Sequence, residues 1–287
     1  MKAYMQQLIQ NQSFQGERPL FNSHNIKLIN VQILEGESAL KEGSNLECEK
    51  CNFFGMYPLW HITGGNIHDC HFDTRARAGI WYSQNFEVSN CQIDAPKMFR
   101  KLKDFKISNC NFTNAEETLW CCDNIELFKV KAINGNNFAL DSHNFKVVEL
   151  NLVSKYVFQN CSNITIKDSI IDSKDDFWET DNVIVENSIL KGEYLGWHSR
   201  NLTLRNCKII GTQPLCYADN LVIDNCSFDE NCDLAFEDST VNATINTRMV
   251  SIKNPKSGKI KLKGLDKLII DEYVKAPNDC KIEIIES

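Results

Sequence analysis

The chain has 287 residues, a formal net charge of −7 and a hydrophobic fraction of 43%, which is enough apolar material for one large core or two ordinary ones. It contains no run of about 20 apolar residues, so we expect no helical membrane span. The acidic balance argues against nucleic acid as the main partner, because phosphate contacts need clustered Lys and Arg.

The first residues, 1–7, lack the apolar core and the small-residue cleavage site of a secretory signal, so we expect a cytoplasmic protein. In a reducing compartment, the 13 Cys should be free thiols. One isolated CxxC, formed by Cys48 and Cys51, has no second half, which makes zinc binding by cysteine the less favoured interpretation.

A residue pattern repeats every 19 to 21 positions, which indicates a repeat architecture. An anchor residue, almost always Asn, is followed by an apolar residue in all eleven repeats and by a second apolar residue two positions later in ten. The exception is the coil that begins at Asn66, which we interpret as shortened. The anchors are Asn25, Asn45, Asn66, Asn85, Asp104, Asn124, Asn144, Asn163, Asn182, Asn201 and Asn220.

Polar and apolar residues alternate after each anchor, which predicts short strands with one buried face. Asn at the fifth position after the anchor predicts a tight turn, because Asn tolerates a left-handed backbone, and a third strand is expected just before the next anchor. The period is too short for helical repeats, and the leucine-rich signature is absent. The pattern therefore predicts an all-β fold, a parallel β-helix of about 11–13 coils of 19–21 residues.

In chain order, residues 1–15 carry no repeat and are expected to form an N-terminal cap. Regular coils are expected over 16–247, followed by an irregular last coil and a C-terminal cap over 248–287, because Pro and Gly break the pattern there. We predict a single β-helix domain over residues 1–287.

The sixth position after the anchor is often Cys, and we expect these thiols to be small interior residues of the coils instead of metal ligands. They are Cys51, Cys70, Cys91, Cys110, Cys207 and Cys226. The anchor Asn residues are expected to form a structural hydrogen-bond ladder along the stack.

Aromatic residues mark the fourth position before the anchor, where Trp81, Trp120, Trp178 and Trp197 share one column, whereas Trp60 falls two places earlier. If these rings point inward they are core; if they point outward they form a strip on which sugar rings can stack. The alternation leaves both possibilities open.

Polar columns beside this aromatic column supply the candidate site residues. Their simplest interpretation is a solvated face with paired charges; the functional alternative is a carbohydrate site, which uses carboxylates and Tyr beside Trp. Glu179 and His198 lie on adjacent coils and would form a weak acid/base pair if they hydrogen-bond. The catalytic candidates are Asp175, Asp176, Glu193, Glu117 and His198. The substrate-binding candidates are Trp120, Trp178, Trp197, Tyr156, Tyr194, Glu116 and Arg77.

Several short segments resemble a bacterial family known only as domain of unknown function 3737, which is grouped with the pectin-lyase-like β-helices. They include Tyr57-Pro58-Leu59-Trp60, Gly79-Ile80-Trp81-Tyr82, Lys174-Asp175-Asp176-Phe177-Trp178 and Gly192-Glu193-Tyr194-Leu195-Gly196-Trp197. The resemblance spans almost the whole chain and implies a single-stranded right-handed parallel β-helix (a pectin-lyase-like solenoid) with no established activity. Pectate-lyase relatives use calcium, acidic ligands and an Arg base. Here Arg77 has no cluster of three Asp around it, so no cofactor is expected and calcium is the one candidate metal.

Two functions follow from these residues. One is a carbohydrate-active enzyme, a lyase or a glycoside hydrolase, acting on an oligosaccharide along the Trp- and acid-lined groove. The other is a non-catalytic solenoid that binds a saccharide or a partner protein on the same face. The oligomeric state is left open.

Overall fold

The computed structural model describes residues 7–274 and 279–285. Strands supply the regular structure of these residues, and none of them belongs to a helix long and apolar enough to cross a membrane. The chain divides into two compact units, residues 1–146 and 147–287. Each unit is a stack of parallel strands, which confirms the predicted all-β parallel solenoid. The single domain over 1–287 stays a prediction.

Within its described residues, 7–146, unit 1 contains sixteen strands and the start of a seventeenth. They are β1 (Gln7–Gln10), β2 (Ser13–Glu17), β3 (His24–Ile29), β4 (Gln32–Glu37), β5 (Ser44–Glu49), β6 (Asn52–Phe53), β7 (Leu59–Trp60), β8 (Thr63–His68), β9 (His71–Phe72), β10 (Ile80–Trp81), β11 (Gln84–Ser89), β12 (Gln92–Ile93), β13 (Phe99–Arg100), β14 (Lys103–Ser108), β15 (Asn111–Phe112) and β16 (Asp123–Leu140).

Unit 2 contains most of β17 (His143–Gln159) and the remaining strands. They are β18 (Ser162–Lys167), β19 (Ile170–Asp172), β20 (Asp175–Asp176), β21 (Asp181–Glu186), β22 (Ile189–Lys191), β23 (Arg200–Arg205), β24 (Lys208–Ile210), β25 (Leu221–Phe228), β26 (Thr240–Lys253), β27 (Ser257–Ile269) and β28 (Asp279–Ile284).

Each strand pairs in parallel with its equivalent one coil away, so identical positions stack. In unit 1, β11 pairs with β14, which places Phe86 level with Phe105. The two rings lie 5.8 Å apart and nearly parallel inside the coil, where Phe86 is 3% and Phe105 1% exposed. The apolar positions after the anchor therefore form the core, as the alternation predicts, and each buried ring contributes roughly 2 kcal/mol of hydrophobic stabilisation.

The turns confirm the role assigned to Asn. Asn90 and Asn109, at the fifth position after their anchors, have φ values of 53° and 51°. The anchors themselves also take positive φ, for example 57° at Asn85. Both sets form ladders of side-chain amides: Asn45 Nδ2 donates to Asn25 Oδ1 at 3.0 Å. The ladder predicted at the anchors is thus present, and the turn positions add a second one.

The assignment of Asn66 as an anchor is wrong. Strand β8 pairs with β5 so that Thr63 is level with Ser44 and Gly65 with Leu46, which puts Gly64 in the anchor position. Gly64 has a φ of 74°. Sequence reasoning looked for Asn and missed the glycine, which adopts the same left-handed conformation without a side chain. With Gly64 as anchor this coil needs no shortening and has Ile67 at the third position, but it has Gly65 where the other coils have a larger apolar residue.

The same shift moves Trp60 into the aromatic column. It stands four residues before Gly64 and is level with Trp81. One column therefore contains all five Trp, and not only the four assigned from the sequence.

The Cys column faces the interior, as expected. Its six thiols are at most 3% exposed and all are free. The Cys91 thiol donates a hydrogen bond to the carbonyl of Ser89 at 3.1 Å.

Both ends of the repeat extend further than the sequence suggested. Strands β1 and β2 already pair with β3 and β4, so residues 7–17 form a coil instead of a cap. Strand β26 pairs with β27, and β27 with β28, so parallel pairing continues past residue 247 to Ile284. The remaining parts of the predicted caps, 1–6, 275–278 and 286–287, lie outside the described residues.

Candidate functional site: an open position in the aromatic column

The Trp column points outward. The residues immediately before it, among them Leu59, Ile80, Leu119 and Phe177, are 0% exposed, whereas the Trp side chains are partly exposed. This resolves the question that alternation left open: the apolar position before the Trp is core, and the Trp lies on the outer face of the coil.

In unit 1 the column is closed by stacking. The Trp60 and Trp81 rings are 5.1 Å apart and 6° from parallel. The Arg100 Cζ lies 4.5 Å from the Trp81 centroid and 4.3 Å from the Trp120 centroid. The guanidinium therefore fills the place between two indoles, and the ring faces of Trp81 are covered on both sides.

Main-chain hydrogen bonds hold most of these indoles in place. The ring N–H of Trp60 donates to Ala78 O at 2.7 Å, and that of Trp197 donates to Gln213 O at 2.8 Å. Trp81 and Trp120 form the equivalent bonds. Within the described residues, Trp178 forms no such bond, so its polar edge remains available.

In unit 2 the column is open beside Trp178. The residue level with it on the preceding coil is Gln159, because β17 pairs with β20 in that register. A short amide here leaves a cleft of about 550 Å³. On the other side Trp197 is tilted by 40° at 5.9 Å. The cleft is lined by Tyr156, Gln159, Lys174, Asp175, Trp178, Tyr194, Trp197 and Gln213.

Asp175 is the only carboxyl group among the lining residues, and it is 4% exposed. Its Oδ1 is buried and has no hydrogen-bond partner in the described part of the chain. Burial raises the pKa of Asp175, and the charge of Glu193 raises it further, while Lys174 and Lys155 oppose the shift. A partner that pairs with this carboxyl group would stabilise its ionised form, because burying an unpaired charge is unfavourable in free energy.

Asp176 points the other way. It is 0% exposed, level with the buried Val157, and accepts a hydrogen bond from the Ser173 hydroxyl. Burial raises the pKa of Asp176 to about 8. This carboxyl group lies in the core and not among the cleft residues, because neighbouring strand positions face opposite sides.

The remaining candidates of unit 2 surround the cleft. Tyr156 and Tyr194 line it, and the Lys155 and Lys174 ammonium groups lie 5.1 and 5.3 Å from their respective ring centroids. Glu193 is exposed and acts on Asp175 through its charge.

His198 belongs to a second recess of about 400 Å³, which Glu179 also lines. Its ring stacks on Tyr217 at 5.2 Å and lies 5.9 Å from Trp178. Among the described residues, no hydrogen bond joins His198 to Glu179, so the acid/base pair considered from sequence is not assembled.

The candidates of unit 1 have structural partners. Glu117 Oε2 pairs with Lys97 Nζ at 3.0 Å and with Arg100 Nη2 at 3.2 Å, which holds Arg100 between its two indoles. Arg77 Nη2 is 3.5 Å from the Tyr57 hydroxyl and has no acidic partner within residues 7–274. Glu116 is half-buried, and Trp120 completes the closed stack.

Sequence reasoning missed Gln159, Gln213 and Lys174 in the cleft. The sequence contains a signal for Gln159, because a polar side chain stands there at a position of the aromatic column.

It also missed a possible metal-ligand group in unit 1, where one atom each from Glu47, Glu49 and His68 lie within 4.8 Å of one another. The Lys27 ammonium already pairs with both carboxylates, at 2.5 and 3.5 Å, and so supplies the cation there.

These features define a parallel β-solenoid protein with an aromatic and acidic cleft on its outer face. The chain matches the family model described as "Protein of unknown function (DUF3737)" over residues 7–283 and belongs to that family. The resemblance noted in the sequence is therefore confirmed. No curated protein matches the chain.

Solved structures with a similar fold have sequences that are only distantly similar to this chain. The Streptococcus pneumoniae surface protein and adhesin PfbA is 10% identical, with 97% of this chain and 91% of that chain covered and a TM-score of 0.39. The periplasmic alginate epimerase AlgG is 10% identical, with 91% and 76% covered and a TM-score of 0.41. The tailspike protein of Escherichia coli bacteriophage HK620, in complex with a hexasaccharide, is 11% identical, with 91% and 66% covered and a TM-score of 0.35. At these values, none of them identifies a ligand or an activity for this chain.

Proposed function

We propose that the cleft of unit 2 binds an oligosaccharide. The observation that carries the proposal is the open face of Trp178 beside Asp175, whose buried Oδ1 has no hydrogen-bond partner among residues 7–274 and 279–285. The C–H face of a sugar ring packs on an indole, and its hydroxyl groups need fixed donors and acceptors nearby. Gln159, Gln213 and the two lining Tyr supply them.

The size of the cleft supports this proposal. A volume of about 550 Å³ falls within the usual range for small-molecule sites, roughly 300–1,000 Å³. The lining combines four aromatic rings with two amides, one carboxyl group and one ammonium group, which suits a ligand that is polar at its edges and apolar on its faces.

Cleavage of the bound saccharide is a second candidate function, favoured by the raised pKa of Asp175. A raised pKa makes a carboxyl group better suited to act as a general acid. Glycoside hydrolysis usually needs two carboxyl groups. The residues that line the cleft supply a single carboxyl group, that of Asp175. Binding is therefore the primary proposal. A single carboxyl group is also a poor ligand set for calcium, which takes six to eight oxygens, and calcium is not part of the proposal.

The test is titration calorimetry against a panel of oligosaccharides that includes neutral, acidic and amino-containing members. We expect at least one to bind the parent protein, and Trp178→Ala to weaken that binding by about tenfold or more because the stacking face is lost. Trp60→Ala is the matched control, since Trp60 lies in the closed stack of unit 1, and it should bind as the parent does.

A parent protein that binds no member of the panel contradicts the proposal, as does unchanged binding by Trp178→Ala. Mass spectrometry of the incubated ligand separates the two candidate functions. Products that depend on Asp175, shown by their loss in Asp175→Asn, indicate cleavage, and an intact ligand indicates binding alone.

A further inference from the structure

Asp175 occupies the same coil position as Glu117. Each stands seven residues before its anchor, Asn182 or Asn124, and three residues before a Trp of the aromatic column. In unit 1 the carboxylate is neutralised twice from the preceding coil, by Lys97 at 3.0 Å and Arg100 at 3.2 Å. Unit 1 therefore shows one arrangement of cations that neutralises an acid at this position.

Both cations are missing at the equivalent positions of unit 2. Lys97 and Arg100 stand seven and four residues before the anchor Asp104. The residues seven and four before Asn163 are Tyr156 and Gln159, which are uncharged. Within the described residues Asp175 has no ion pair, and its Oδ1 has no hydrogen bond at all.

The space left by these replacements is the cleft. Arg100 is level with Trp120, and Gln159 is level with Trp178 in the same way. Where unit 1 places a guanidinium against an indole and a carboxylate, unit 2 has a cavity bounded by Trp178 and Asp175. The cleft thus has the indole and the carboxyl group of a cation site, and among the described residues no cation forms an ion pair with that carboxyl group.

We infer that the saccharide bound in this cleft carries a positively charged group, an unacetylated amino group, which packs against Trp178 and pairs with Asp175. This inference rests on the proposed function and specifies its ligand. Tyr156, Tyr194 and Trp197 complete a set of four rings around the position, the arrangement that favours an organic cation through the electron-rich ring faces. The cleft is much larger than one ammonium group, and the sugar rings fill the rest.

The neighbouring charges give the expected direction of further substitutions. Lys155 and Lys174 lie over the two Tyr rings that line the cleft, and Lys174 itself lines it. Both repel a cationic ligand, whereas Glu193 attracts it. Replacing Lys174 by Gln should therefore strengthen binding of the amino sugar severalfold, since the repulsion is removed while the carboxyl group remains.

The first experiment compares glucosamine oligomers with N-acetylglucosamine oligomers of the same length by calorimetry at pH 6, where the free amines are protonated. We expect the parent to bind the charged oligomer at least tenfold more tightly. Asp175→Asn, which is nearly isosteric, should remove this preference, and the control Glu179→Gln, in the other recess, should keep it. Equal or tighter binding of the acetylated oligomer overturns the inference but leaves saccharide binding intact.

Methylguanidinium serves as a cation without a sugar. If it binds in a manner that depends on Asp175 while no saccharide binds, the cation site stands and the proposed function fails. If neither it nor any saccharide binds, both are overturned.

A second experiment measures thermal stability as well as ligand binding. Gln159→Arg should rebuild in unit 2 the arrangement of Arg100, raise the thermal midpoint by a few degrees and abolish ligand binding. In the Asp175→Asn background the same substitution should give no increase, because the new guanidinium lacks its carboxylate. A Gln159→Arg single variant that is no more stable than the parent, or an equal increase in the Asp175→Asn background, contradicts the assignment of a cation site.

Discussion

At the scale of single residues, two adjacent carboxyl groups have opposite surroundings. Asp175 faces the cleft, whereas Asp176 is fully buried and hydrogen-bonded to Ser173. The strand β20 that holds them alternates sides, so one residue step separates a ligand-facing acid from a core acid. The core acid is kept protonated by burial, which raises its pKa to about 8.

This burial makes stability depend on pH. The pKa of Asp176 is about 8 when folded and about 3.9 when unfolded, so the folded state binds the extra proton between these values. The free energy of unfolding is therefore highest at the acidic end of this range. It falls by at most about 1.4 kcal/mol for each pH unit as the pH rises toward 8. Asp176→Asn should remove this slope.

Thermal midpoints of the parent and of Asp176→Asn, measured from pH 5 to pH 8, check the prediction. The two curves should lie close together at pH 5 and diverge at pH 8, where the variant is more stable. Asp172→Asn, at a half-buried neighbouring position, is the control and should keep the slope. Parallel curves for parent and Asp176→Asn would show that this carboxyl group does not titrate in the folded state.

At the scale of the coil, the repeat depends on residues with a left-handed backbone at the anchor and at the turn. Asn provides it at most anchors, and Gly64 provides it in one. Asn also bonds to the Asn of the next coil, as in Asn182 Nδ2 to Asn163 Oδ1 at 2.8 Å. A glycine keeps the conformation but breaks the ladder.

Gly64→Asn should therefore be accepted and extend the ladder, whereas Gly64→Val should destabilise the protein by about 1–3 kcal/mol, the cost of a left-handed conformation for a branched side chain. An added Cβ meets Asn45 Oδ1 at 2.9 Å, the end of a side chain that can turn. Denaturant unfolding of both variants tests this. Equal losses for Asn and Val would mean that space, and not backbone conformation, selects glycine here.

At the scale of the whole molecule, the burial of the 13 thiols shows which of them lie in the interior. All are free, eleven are buried, Cys280 is intermediate and Cys121 is exposed. Burial raises the pKa of the Cys122 thiol to about 12 and that of the Cys232 thiol to about 11, which suppresses the reactive thiolate at these two positions.

A thiol reagent should therefore modify about one group quickly in the native protein and close to all 13 after denaturation without reductant. Cys121→Ser should remove the fast phase and leave the denatured count one lower. Several fast thiols in the native state would contradict the buried column, and a low count after denaturation would indicate disulfides.

Much of the fold was legible in the sequence because a solenoid repeats its constraints. Asn at the turn, apolar residues beside the anchor and Cys in the interior recur at fixed intervals, so each position is sampled many times. The prediction failed where one residue type replaced another with the same backbone conformation, as Gly64 does, and at the ends, where the repeat is lost but strand pairing continues.

The sequence alone determined the parallel coils, the inward thiols and an aromatic column with four of the five Trp, because these depend on local periodicity. Only the tertiary structure decided that the Trp rings face outward, that Asp176 is core, and that Glu117 is paired while Asp175 is not. Those properties depend on which residue of the next coil lies level with each side chain. In a stack of parallel strands that neighbour is about twenty positions away in the chain, and its register is set by pairing instead of by local pattern.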